Sequence, residues 1–138
     1  MKTKRVVLDT NLWISFLISK NYTELDDLIE SNKVKLLFSS ELIKEFLEVA
    51  TRKKFEKYFK KKDITRLLEQ LNNFGELIEI KSNISVCRDE KDDFLLNLSI
   101  DGNADYLITG DSDLLVLEKI SKTKIISWAD FIKKNKLI

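Results

Sequence analysis

The sequence has no histidine and no proline, a single cysteine (Cys87) and three glycines (Gly75, Gly102, Gly110). Without histidine there is no imidazole base, no Ser-His-Asp triad and no His-ligated zinc. One cysteine excludes an internal disulfide and a thiolate metal centre. It fits a reducing cytoplasm, with Cys87 as a small buried apolar residue. Three dispersed glycines make no phosphate-cradling loop, which argues against dinucleotide or nucleoside-triphosphate binding. No apolar run is long enough to span a bilayer, and no signal-peptide core opens the chain. Any bound metal must therefore be held by oxygen, which points to magnesium or manganese rather than zinc or copper.

What is present suits one soluble domain over residues 1–138, with 43% hydrophobic and 34% charged residues. The net charge of +1 says little about partners. Val6, Val7 and Leu8 form a short β-branched run, suited to a strand buried on both faces of a parallel sheet. It stops at Asp9-Thr10-Asn11, and a helical stretch from Leu12 to Ile18 follows. Further strands are expected at Val34–Phe38, Leu77–Ile80, Tyr106–Thr109 and Lys124–Ile126. Between them, helices are expected from Thr23 through Ile29, from Glu41 to about Lys53 with Ser39 and Ser40 as N-caps, from Asp63 as cap to Gly75, and from Lys91 to Asp101. Gly102 stops the fourth of these, and a last helix, Trp128–Lys134, is capped by Ser127. Alternating strands and helices predict an α/β fold, with a mostly parallel sheet of four to five strands covered on both faces.

Asp9 and Asp111 each stand at the C-terminal tip of an apolar strand. Right-handed crossovers bring such tips to one edge of the sheet, where open α/β folds place their chemistry. Either aspartate also suits plain helix capping. Asp113 follows in a Gly-Asp-Ser-Asp turn. On the helix from Glu41, at about 3.6 residues per turn, Glu45 lies at the edge of the apolar arc while Glu41 and Glu48 point outward. In Arg88-Asp89-Glu90-Lys91-Asp92-Asp93, first-turn acids complement the helix dipole. The apolar face that follows draws Asp92, with Asp93 close behind, toward the interior. Acids converging on one edge would repel unless one is protonated or a cation joins them, and a hard divalent ion is the natural solution. Such a site polarises a phosphoryl oxygen and generates hydroxide from water near neutral pH, with no need of a protein base.

The sequence resembles the PIN-domain family, and within it the toxin components of bacterial and archaeal toxin–antitoxin pairs, akin to VapC. The matching stretches are Val7–Asn11, Ser39–Phe46, Arg88–Asp93 and Leu107–Leu115, in an order and spacing that cover nearly the whole chain. The resemblance implies a Rossmann-like three-layer α/β/α sandwich and a magnesium- or manganese-dependent ribonuclease. It assigns Asp9, Glu45, Asp92 or Asp93, and Asp111 as metal-binding catalytic acids, with Asp113 as a further acid. Asn11 and Thr109 match residues that orient ligands or water. Glu90 stands where this branch commonly has proline, and Ser99 where it has alanine; neither touches a metal ligand.

Arg52, Lys53, Lys54, Lys57 and Lys61, interleaved with Phe55, Tyr58 and Phe59, form a basic segment suited to a nucleic-acid backbone and unpaired bases. Its alternative is a solvated face whose aromatics pack inward. Expected partners are an RNA substrate, a cognate antitoxin and, in a homo-oligomer, a second copy of the chain, with no membrane. Two other readings share these features. One is a non-catalytic binding module on the same fold. The other is a receiver-like phospho-acceptor, which needs an acidic pair after the first strand and a lysine at the last strand tip, and this chain has neither.

Overall fold

The computed structural model describes residues 3–19, 27, 30, 32–85 and 90–135. The expected helix beginning at Thr23, and with it Cys87, Arg88 and Asp89, lies wholly or largely outside the described residues.

Strand β1 (Lys4–Leu8) leads into helix α1 (Thr10–Ser19), and β2 (Val34–Phe38) into α2 (Ser40–Ala50). A 3-10 turn at Lys53–Phe55 precedes α3 (Lys61–Phe74) and the two-residue strand β3 (Glu76–Leu77). Then come α4 (Glu90–Asp101), β4 (Tyr106–Ile108), the short helix α5 (Ser112–Leu115), β5 (Lys119–Ile120), β6 (Thr123–Ile126) and α6 (Trp128–Asn135).

The strand order is β3-β2-β1-β4-β6-β5, parallel except where β5 pairs with β6. The chain builds outward from β1 in one direction, then returns to add β4 on its other side. That reversal between β1 and β4 opens a crevice at the C-terminal strand ends, the usual binding place of doubly wound sheets.

Side chains alternate across the sheet. Val6 and Leu8 join α1, α2, α3 and α6 in one core, while Val7 joins α4 and α5 in another. Val6, Val7 and Leu8 are each at most 1% exposed, so β1 is covered on both faces and the molecule is a three-layer α/β/α sandwich.

Several boundaries depart from expectation. The sheet has six strands rather than four or five. The added strand β5 makes a tight hairpin with β6, where Glu118 and Ser121 adopt positive φ without glycine. The expected strand at Leu77–Ile80 is cut to Glu76–Leu77, because only Glu76 and Leu77 pair with β2. Helix α2 ends at Ala50, before Lys53, as the Thr51 amide and hydroxyl both bond the Leu47 carbonyl. Asp63 does not cap α3. It sits one turn in and reaches back to accept the Lys60 N–H at 2.8 Å. Asn103, not Gly102, takes the left-handed conformation after α4. Asparagine tolerates that region. At Gly102 a Cβ would lie 2.8 Å from Leu37 Cδ1 and 3.1 Å from the Leu98 carbonyl, so a side chain there would have to displace the Leu37 methyl.

Ser39 caps α2 as expected, accepting the Leu42 N–H at 3.1 Å. Ser127 likewise accepts from Asp130 N–H at 3.2 Å in α6.

Candidate metal centre

Parallel pairing of β1 with β4 sets Leu8 opposite Ile108, so Asp9 and Thr109 leave the sheet side by side. The Asp9 N–H donates to the Ile108 carbonyl at 3.0 Å, and the Thr109 N–H to Ile126 at 3.0 Å. Both residues are buried, Asp9 7% and Thr109 0% exposed.

Thr109 joins the two strand tips. Its hydroxyl donates to Asp9 Oδ2 at 2.6 Å and accepts the Asp111 N–H at 3.0 Å. One buried hydroxyl therefore ties the Asp9 carboxylate to the Asp111 backbone. Each aspartate also caps its helix, as its sequence context allowed. Asp9 Oδ1 accepts the Asn11 N–H at 3.2 Å, and Asp111 Oδ1 the Asp113 N–H at 2.9 Å. Capping does not exclude a role as a ligand, because each carboxylate oxygen keeps a second lone pair.

Asp92 arrives from the first turn of α4. One carboxylate oxygen from each of Asp92, Asp111 and Asp113 lies within 4.8 Å of the others, and all three residues are half-buried. This is close enough for one cation to be shared. The sequence favoured Asp92 as the inward acid of the pair, but Asp93 is the deeper at 6% exposed, while half-buried Asp92 faces Asp111 and Asp113. Asp93 lines a cavity of about 360 Å³ with Asn83, Ile84 and Asn97. Asn97 holds that wall by accepting the Ile84 N–H at 2.8 Å and donating to its carbonyl at 3.2 Å.

Glu45 is half-buried, whereas Glu41 and Glu48 are exposed, as the helical spacing predicted. Its Oε2 accepts the Thr10 hydroxyl at 2.6 Å. By sequence, Thr10 suits only a helix cap. The structure makes it the link between Glu45 and the Asp9 loop, a contact between α1 and α2 with no signal in local sequence. Asn11 is exposed on the first turn of α1. Arg52 shares a second cavity, of about 250 Å³, with Glu45 and Phe94, which brings the basic segment up to the acids.

Among the described residues, the donor set is carboxylate and hydroxyl oxygen alone, which fits a hard divalent cation and no soft one. The arrangement is a three-layer α/β/α sandwich with an acidic centre at its switch point. The PIN domain family model matches residues 5–113, and the chain belongs to that family. An uncharacterized protein of Methanocaldococcus jannaschii is 33% identical over 121 residues, covering 86% of this chain and 77% of the archaeal one. PIN domains are generally nucleases that use divalent metals, and the acidic cluster could bind such an ion. No helix among the described residues is long and apolar enough to cross a membrane.

Proposed function

We propose that the protein is an endoribonuclease dependent on magnesium or manganese, and the toxin of a toxin–antitoxin pair. The observation that carries the nuclease reading is the meeting of Asp92, Asp111 and Asp113 within 4.8 Å beside the Asp9–Thr109 hydrogen bond. The toxin role rests on the resemblance of the four motif stretches.

In this reading Asp9, Glu45, Asp111, Asp113 and one of the Asp92–Asp93 pair hold the metal, with Asp92 favoured by its place beside Asp111 and Asp113. A bound divalent ion supplies Lewis acidity toward a phosphodiester and acidifies water. The chain's own part is positional. Thr109 fixes Asp9 and the Asp111 loop, Thr10 fixes Glu45, and Asn11 offers an amide to solvent or ligand at the rim. Arg52, Lys53, Lys54, Lys57 and Lys61 neutralise the RNA backbone. The protein works in the cytoplasm, beside a cognate antitoxin.

The test is cleavage of single-stranded RNA with Mg2+ or Mn2+. Asp9→Asn and Asp111→Asn each abolish cleavage, and their expression no longer arrests growth of the host. Full activity in both variants overturns the nuclease reading. RNA binding that ignores metal removal, with no products, supports the binding-module alternative instead.

A further inference from the structure

The segment from Arg52 to Asp63 carries seven cations against two acids. The structure sorts its three aromatic residues. Phe59 is buried at 4% exposure, and Phe55 stacks on it at 5.7 Å between centroids, so both belong to the core beneath the segment. Tyr58 stands apart at 43% exposure, with Lys57 Nζ 5.1 Å from its ring centroid. Arg52, Lys53, Lys54, Lys57, Lys60 and Lys61 are all exposed around it. At its near end, Arg52 shares a cavity with Glu45. The segment thus forms a cationic ledge that begins beside Glu45 and carries one exposed, lysine-flanked aromatic ring.

We infer that this ledge is a single-strand track on which Tyr58 stacks an unpaired base several nucleotides from the cut. This inference rests on the ribonuclease reading. The charge excess suits a phosphate backbone, and an exposed ring flanked by lysine is the combination that holds single strands without reading sequence. A duplex keeps its bases stacked inside and offers none to a lone surface ring. The substrate class is therefore RNA that is single-stranded on the Arg52 side of the cleavage site.

The experiment is equilibrium binding of a fluorescent single-stranded RNA, and of the same sequence closed into a hairpin stem, with EDTA present. Binding is then read whether or not the protein cleaves, so failure here and failure of the nuclease reading are told apart. Expected results are tighter binding of the open strand, about tenfold weaker binding for Tyr58→Ala, and retention of wild-type affinity in Tyr58→Trp. Charge removal at Lys53, Lys54 and Lys57 together lowers the slope of log affinity against log salt by about 2. Equal affinity for strand and stem, or an unchanged Tyr58→Ala, overturns the proposal. So does a poly-aspartate peptide that binds the ledge when RNA does not.

Discussion

Thr109 takes no part in acid–base chemistry, yet the Asp9 carboxylate and the Asp111 backbone both depend on where its hydroxyl points. Valine has nearly the same shape and cannot make either bond. Thr109→Val leaves Asp9 Oδ2 without its donor and the Asp111 N–H without its acceptor. Loss of such a supporting contact typically costs about 10- to 100-fold in metal affinity or activity. We expect Mn2+ affinity to fall by that order in titration calorimetry. The melting temperature should fall with it, because buried unsatisfied groups cost about 1–3 kcal/mol. Thr109→Ser, which keeps the hydroxyl, should restore affinity. Asp9, Asp111 and Glu45 could be read from the sequence, since strand tips and helical phase fix their direction. Thr10 could not, because its partner lies 35 residues away across two elements.

At the scale of elements, the polar connection before α4 is pinned by one carboxylate. Asp101 Oδ2 accepts the Lys81 N–H at 2.6 Å and the Ser82 N–H at 2.8 Å. Burial pushes Asp101 up, but hydrogen bonds from the Ser82 hydroxyl and amide and the Lys81 amide outweigh it and hold its carboxyl below the usual range. A carboxyl depressed in the folded state adds stability above its unfolded value of about 3.9, and loses it as pH falls through the folded value. Asp101→Asn should therefore lower the urea midpoint at pH 7. The gap from wild type should close as pH falls through that lowered folded value, and a gap that persists in stronger acid would refute the assignment. Helix starts were legible where a serine caps, as at Ser39 and Ser127. Helix ends and short edge strands were not. The early stop of α2 and the hairpin of β5 depend on local backbone bonding that composition does not encode.

For the whole molecule, the order of elements was legible because buried strands and amphipathic helices alternate so regularly. The strand order was not, since nothing in one segment says on which side of β1 the chain will return. Binding confined to the folded state stabilises it by mass action, about 2.7 kcal/mol at a hundredfold excess over Kd. Mn2+ should accordingly raise the melting temperature of the wild type. Asp92→Asn or Asp111→Asn should flatten that rise, as read by calorimetry in matched buffers. An equal rise in all three proteins would place the ion elsewhere.

The double duty of Asp9 and Asp111 has a further consequence. Asparagine starts a helix as well as aspartate does. Exchanging one carboxyl oxygen for an amide nitrogen at either strand tip can therefore silence chemistry while the architecture survives intact. Descendants of such a chain would keep their shape while losing their hold on the ion, so on the proposed reading a folded, inert copy lies one nucleotide change from an active one.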